Sequence, residues 1–196
     1  MKVWDTVKLG LVLMVYTAVA CVGLAFVYGG TKTTIDERAR IDLEASLQEL
    51  FSSADGGAAQ ITFKEITGTI VSPDGAVSFE TAYSISQNGT LIGAAIQASA
   101  GSYGGPIKVL VGVNANGTIS RIKIMEHSDT PGLGAKAAKP AFYGQFAGKA
   151  VSDPFEPKQD VTAITAATIT SRAVSRAVKT AGEAAAAWLA AEGAGR

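Results

Sequence analysis

The spacing of apolar residues changes three times along this chain. From Leu9 to Gly30 it reads LGLVLMVYTAVACVGLAFVYGG, and no charged side chain falls between Lys8 and Lys32. As a helix, such a run spans about 33 Å, enough to cross the hydrocarbon core of a bilayer. Trp4 and Tyr28 stand near its two ends, where amphipathic rings favour the interface. Ala18-Val19-Ala20 before Cys21 has the form of a cleavage site, but the apolar run continues through Val22 to Tyr28. A signal peptide's core stops before its cleavage site, so the pattern predicts an uncleaved transmembrane anchor over residues 1–31. Lys2 and Lys8 lie on one side of it; Lys32, Arg38 and Arg40 lie on the other with Asp36 and Glu37, so charge leaves the orientation open.

A helical period follows. Ile35, Ala39, Leu43, Leu47 and Leu50-Phe51 recur at helix spacing behind the capping-box pattern Thr34-Ile35-Asp36-Glu37, and Gly56-Gly57 ends the pattern. This predicts an amphipathic connecting helix over residues 32–58. From Gln60 to Met125 the period shortens to that of strands: Ile61-Phe63, Ile66 to Val71, Val77-Phe79, Tyr83-Ile85, Leu91 to Ala100, Ile107 to Val113 and Ile119 to Met125. Asn88-Gly89 and Asn116-Gly117 between such runs are hairpin signals, because both positions take positive φ readily. Short helical structure is expected from Ala137 to Phe146, interrupted near Pro140. A longer helix is expected from Ser171 to Glu192, with Val174, Val178, Ala181, Ala185 and Trp188-Leu189 on one stripe. Residues 59–196 therefore read as a single α+β domain, an antiparallel sheet flanked by helices.

Composition narrows the chemistry. Lys+Arg and Asp+Glu balance at 17 each, so no global field points to nucleic acid. With one Cys and one His, the chain can form neither an intrachain disulfide nor a His/Cys metal cluster. Any redox work therefore requires a bound cofactor. His127, at a strand end, reads as structural. Phe142 and Phe146, four apart, read as core.

Two stretches remain. The loop Glu126 to Lys136 holds Asp129-Thr130-Pro131-Gly132-Leu133-Gly134, where proline and two glycines shape the backbone. The stretch Thr162 to Ser171 crowds hydroxyls before the last helix. There, free N–H groups and the macrodipole favour an anion, and Ala166-Ala167 leave room for a phosphate to approach. By residue type alone, Thr165, Thr168, Thr170 and Ser171 are equally eligible as ordinary helix caps.

Gly104-Gly105-Pro106-Ile107, the Thr130-Pro131-Gly132-Leu133-Gly134 loop and Thr165-Ala166-Ala167-Thr168 occur in this order behind an N-terminal anchor. In this the chain resembles the G subunit of the Rnf-type ion-translocating ferredoxin:NAD oxidoreductase complex. That protein belongs to the wider FMN-binding family that includes the C subunit of the sodium-translocating NADH:quinone oxidoreductase. The resemblance implies an electron-carrying flavoprotein subunit of an oxidoreductase, not catalytic alone, with FMN linked through its phosphate to Thr168 by a dedicated flavin transferase. It also implies the other subunits of a membrane redox complex as partners, besides membrane lipid. The setting would be the bacterial cytoplasmic membrane, single-pass, with the soluble domain on the extracytoplasmic side. Thr165, Ala166 and Ala167 would complete the attachment motif. Asp129, Thr130, Gly132, Leu133 and Gly134 would face the ring, with Thr130 and backbone amides on its oxygens and Leu133 over an apolar face. Lys136, Lys158 or Arg172 would offset the phosphate. Ala166 stands where the family has glycine, and can hold the same turn only with a negative φ. Two further readings stay open: an anchored FMN-domain protein of another respiratory reductase, and a tethered adaptor whose threonines only cap a helix.

Overall fold

A computed structural model describes residues 3–51 and 61–194. Helix α1 (Val3–Phe51) is continuous and does not restart at Thr34-Ile35-Asp36-Glu37. A capping box acts only where the backbone leaves helical geometry. Nothing upstream forces it out, since the first proline of the chain is Pro73 and the pair Gly29-Gly30 weakens a helix without ending it. The predicted stop at Gly56-Gly57 lies outside the described residues. Among the described residues, α1 is the one helix long and apolar enough to cross a membrane. The chain divides into two compact units between Ala45 and Ser46, inside α1, rather than at the composition changes near residues 31 and 58. The reason is burial: Ser46, Leu47, Leu50 and Phe51 are all buried, whereas the apolar run from Leu9 to Tyr28 faces outward.

In the second unit, strands β1 (Ile61–Glu65), β2 (Val77–Gln87), β3 (Thr90–Gly101), β4 (Pro106–Asn114) and β5 (Ile119–Glu126) form one sheet. Their order is β1-β2-β3-β4-β5 and every neighbouring pair is antiparallel. Asn88 and Gly89 join β2 to β3 with φ of 51° and 81°, the left-handed pair that a two-residue hairpin uses. The runs Val77-Phe79 and Tyr83-Ile85 are one strand, carried through a register shift between Phe79 and Thr81. Ile66 to Val71 is not a strand. Gly68 turns it back at φ 87°, Thr69 N–H donates to Ile66 O, and Ile70 drops into the core while Val71 stays exposed.

Alternation along the strands builds two covered faces. Ala94, Ile96, Ala98, Val109, Val111 and Val113 share a core with Val174, Val178, Ala181 and Ala185 of α3 (Thr168–Ala194). On the opposite face, the last turn of α1 lies over Gly93 and Gly112. A Cβ on Gly93 would meet the Phe51 ring at 2.7 Å, and one on Gly112 would meet Leu50 at 2.9 Å. Ser120 Oγ donates to Leu50 O at 2.6 Å and Lys123 pairs with Glu49, so this turn is also held by polar contacts. In β5, a register shift between Val111 and Val113 brings both Ile119 and Ile122 into the α3 core, although strict alternation would place them on opposite faces.

Between β5 and α3 the chain forms a 3-10 turn at Gly134–Ala138, α2 (Pro140–Tyr143) with proline in its first turn, and a second 3-10 turn at Gly144–Phe146. Phe146 meets Phe142 edge-on at 5.7 Å and stacks on Phe155 at 6.1 Å, so these rings are core.

Candidate functional site

Helix α3 begins three residues earlier than its apolar stripe predicts, at Thr168. The chain reaches it through a tight turn in which Ala166 takes φ 62°. The expectation of a negative φ at Ala166 is therefore wrong. The turn needs a left-handed residue, and alanine adopts that conformation at a cost glycine would not incur. Ser171 locks the geometry from inside: its hydroxyl accepts Ile164 N–H at 2.9 Å and donates to Ala167 O at 3.0 Å.

The hydroxyl cluster thereby sorts itself. Ser171 is fully buried in this staple. Thr170 is 1 % exposed and interacts with Asp129, whose pKa it helps to lower. Thr165 and Thr168 are exposed, and among the described residues neither hydroxyl has a hydrogen-bond partner. None of the four caps α3. Ala167 occupies the cap position, where alanine offers no side-chain acceptor, so the N–H groups of the first turn stay open.

Two cavities meet here. The first, about 630 Å³, lies between Tyr103, the loop Asp129 to Gly134 and the first turn Ala166 to Thr170. Its volume falls in the range of cofactor sites, about 300–1,000 Å³. Tyr103, Leu133 and Ile169 give it exposed apolar walls. The second, about 560 Å³, is bordered by Lys158 to Thr165 and is the more polar. Ala166 and Thr168 line both. Of the predicted residues, Thr168, Ala166, Ala167, Asp129, Thr130, Leu133 and Gly134 line the first cavity, and Thr165 lines the second. Gly132 bends the loop at φ 80° without lining either. Lys136 and Arg172 line neither, which leaves Lys158 as the cation on a wall that Thr168 shares.

Asp129 is 6 % exposed, and its carboxylate is occupied from within the chain. Oδ2 accepts Ser102 Oγ–H and Oδ1 accepts Gly104 N–H, each at 2.7 Å. Burial pushes this carboxyl's pKa up; the Ser102 and Gly104 donors, with Thr170 and nearby His127, outweigh burial and hold it below the usual range. The close approach explains two glycines. A Cβ on Gly134 would lie 2.7 Å from Asp129 Cγ, and one on Gly104 would lie 2.9 Å from Asp129 Cα. His127 lines neither cavity, and among the described residues its buried Nδ1 has no hydrogen-bond partner.

Asp160, two residues before Thr162, is likewise engaged: it pairs with Lys149 at 3.0 Å and accepts the N–H groups of Phe155 and Glu156. Burial raises its pKa, and Lys149 with the two N–H groups more than reverses that. Thr162 is fixed by Gln145, which accepts its N–H at 2.7 Å. These contacts shape the segment entering the Thr165–Thr168 turn.

Tyr103 and Ile169 are pocket residues that sequence patterns do not single out, and Thr170, one of the four eligible hydroxyls, lines the pocket as well. The signal for Tyr103 is an aromatic isolated among glycines, with no apolar period to claim it. Among the described residues, no group of three His, Cys, Asp or Glu side chains could hold a metal ion.

The model of the FMN-binding domain matches residues 102–183, which include Tyr103, the Asp129 loop and Thr168. The G subunit of a Na(+)-translocating ferredoxin:NAD(+) oxidoreductase complex from Acetobacterium woodii is 33% identical over 186 residues, covering 89% of each chain. The G subunit of an ion-translocating oxidoreductase complex from Methanosarcina acetivorans is 32% identical, covering 90% of this chain and 93% of that one. Among solved structures, the C subunit of a Na(+)-translocating NADH-quinone reductase from Parabacteroides distasonis is similar at 22% identity and TM-score 0.46, covering 56% of this chain and 63% of that one. The chain belongs to the family of G subunits of ion-translocating ferredoxin:NAD(+) oxidoreductase complexes.

Proposed function

We propose that this chain carries FMN joined through its phosphate to Thr168 Oγ1, and that it passes electrons within a membrane-bound ion-translocating oxidoreductase complex. One observation carries the reading. The Thr168 hydroxyl is exposed and, among the described residues, unpartnered at the start of α3, on the border that an apolar and a polar cavity share. An anion at that border is favoured by the open N–H groups and the helix macrodipole, with Lys158 on the polar wall. The apolar cavity suits the flat ring: Tyr103, Leu133 and Ile169 offer it apolar walls, and Thr130 lines it with a hydroxyl able to donate or accept. When bound, the flavin supplies the electron chemistry that the chain's own side chains lack.

Attachment exchanges the hydrogen of the Thr168 hydroxyl for a flavin phosphoryl group. A flavin transferase delivers that group from an activated flavin nucleotide, whose remaining portion departs. The residue gains the mass of FMN less water. The run from Leu9 to Gly30 would cross the membrane once, with the domain from Ser46 onward outside the cytoplasm beside the partner proteins. Intact mass of the chain from cells that supply the transferase tests the bond. The expected result is the FMN increment and in-gel fluorescence in the native chain, and loss of both in Thr168→Ala. An unmodified native mass, or a flavin that persists covalently in Thr168→Ala, refutes the attachment.

A further inference from the structure

We propose, resting on the reading that FMN is held at Thr168, that Tyr103 packs against the flavin ring and that Asp129 is the positioning residue that keeps it there. Tyr103 is 73% exposed, yet it borders the apolar cavity. Among the described residues, its ring pairs with no other aromatic and its hydroxyl has no hydrogen-bond partner. A side chain so unengaged ordinarily sits on a loose loop, and this one lies between Gly101 and Gly104-Gly105. Its backbone is nevertheless fastened on both sides. Ser102 and Gly104, its two neighbours, both donate to the one buried carboxylate at 2.7 Å. Ser102 N–H also closes the turn onto Gly105 O at 2.8 Å.

The same carboxylate reaches the other cavity walls. Thr170, buried in the first turn of α3, interacts with it and helps hold its pKa down, and Gly134 of the loop opposite lies against it. One buried charge thus ties together the three segments that bear Tyr103, Leu133 and Ile169. Burying a carboxylate is costly unless it is fully hydrogen-bonded, and here its bonds go to fixing an exposed ring. A slot with one aromatic and two aliphatic walls suits a planar heteroaromatic ligand, which stacks on the ring's face.

A phenol in contact with a flavin also quenches its fluorescence. The excited ring takes an electron from the phenol and returns it, so no net chemistry occurs. Phenylalanine keeps the packing but is too poor a donor to quench. This separates contact from mere stability.

The test uses the full-length flavin-bearing chain in detergent, with loading established by intact mass. Flavin fluorescence lifetime and iodide quenching are then compared in wild type, Tyr103→Phe, Tyr103→Ala, Asp129→Asn and Ser102→Ala. Wild type should show a short lifetime. Tyr103→Phe should lengthen it severalfold with iodide access unchanged, and Tyr103→Ala should lengthen it and raise iodide access. Asp129→Asn should keep the tyrosine yet split the lifetime into short and long components at full loading. Ser102→Ala should do so more mildly, and serves where Asp129→Asn does not fold. An unchanged lifetime in Tyr103→Phe overturns the role of Tyr103. Wild-type lifetimes in both Asp129→Asn and Ser102→Ala, or in Ser102→Ala where Asp129→Asn does not fold, overturn the role of Asp129. A native chain of unmodified mass overturns the flavin reading, and this inference with it.

Discussion

Replacing Ala166 by glycine should stabilise the protein, although glycine usually does the reverse. Ala166 sits at φ 62° in the turn that delivers the chain to Thr168. A Cβ in that conformation costs about 1–2 kcal/mol, which glycine removes. Against this, glycine frees the unfolded chain by about 0.4–1 kcal/mol. The difference leaves a gain of about 0.5–1 kcal/mol. For a domain of this size, each kcal/mol moves Tm by about 2–4 °C, so the midpoint should rise by about 1–4 °C. Thermal unfolding followed by circular dichroism would measure it, with full chain in detergent and a Thr168→Ala background so that flavin loading does not contribute. Ala163→Gly is the control. Ala163 precedes the turn and has no positive φ, so only the unfolded-state penalty applies and Tm should fall. If Ala166→Gly lowers Tm as the control does, the turn is not strained by its alanine and the reasoning fails.

Gly93→Ala forces a methyl onto the Phe51 ring and the Val113 carbonyl, and should destabilise by about 1–3 kcal/mol in denaturant titration. Phe146→Ala empties a fully buried site between Phe142 and Phe155, and should cost about 3–5 kcal/mol in the same assay. Acid should expose the Asp129 clamp. Its carboxyl binds a proton less readily folded than unfolded, so its contribution is present above the unfolded pKa of about 3.9 and is lost as pH falls through the lower folded value. Denaturation midpoints of Asp129→Asn should therefore lie below wild type at neutral pH, and the gap should narrow below about pH 4. Asp160 titrates in the same direction, so a residual acid slope remains in the variant.

The hairpins were legible because their chemistry is local. Asn88-Gly89 takes the two left-handed conformations its composition favours, and the β-rich runs around it alternate as sheets require. The run Ile66 to Val71 misled because apolar β-branched residues read alike in a strand and in a turn that drops one of them into a core. The capping box at Thr34 misled because a cap signal means nothing inside a helix that has no reason to end. At the site, the crowding of hydroxyls before an Ala-rich helix marked the stretch, and the family resemblance alone singled out Thr168 among them. What could not be read was the division of labour among those hydroxyls. Thr170 turns inward to the carboxylate of Asp129, in the loop that leaves β5, and no local pattern encodes so distant a partner. Asp129 was read as facing a ligand; it lines the cavity, and its two carboxylate oxygens also accept Ser102 Oγ–H and Gly104 N–H, contacts no local pattern announces.

The packing of Leu50 and Phe51 over Gly93 and Gly112 bears on how the domain can be cut free of its apolar helix. The natural place to cut, judged from composition, is the glycine-rich segment after Phe51. A fragment starting there would lose the cover of one sheet face and leave Ile85, Ala95 and Leu110 open to solvent, a patch prone to self-association. It would also leave Ser120 without the Leu50 carbonyl that its hydroxyl reaches. A fragment meant for crystals or electrochemistry should keep the last helical turn and begin no later than Ser46.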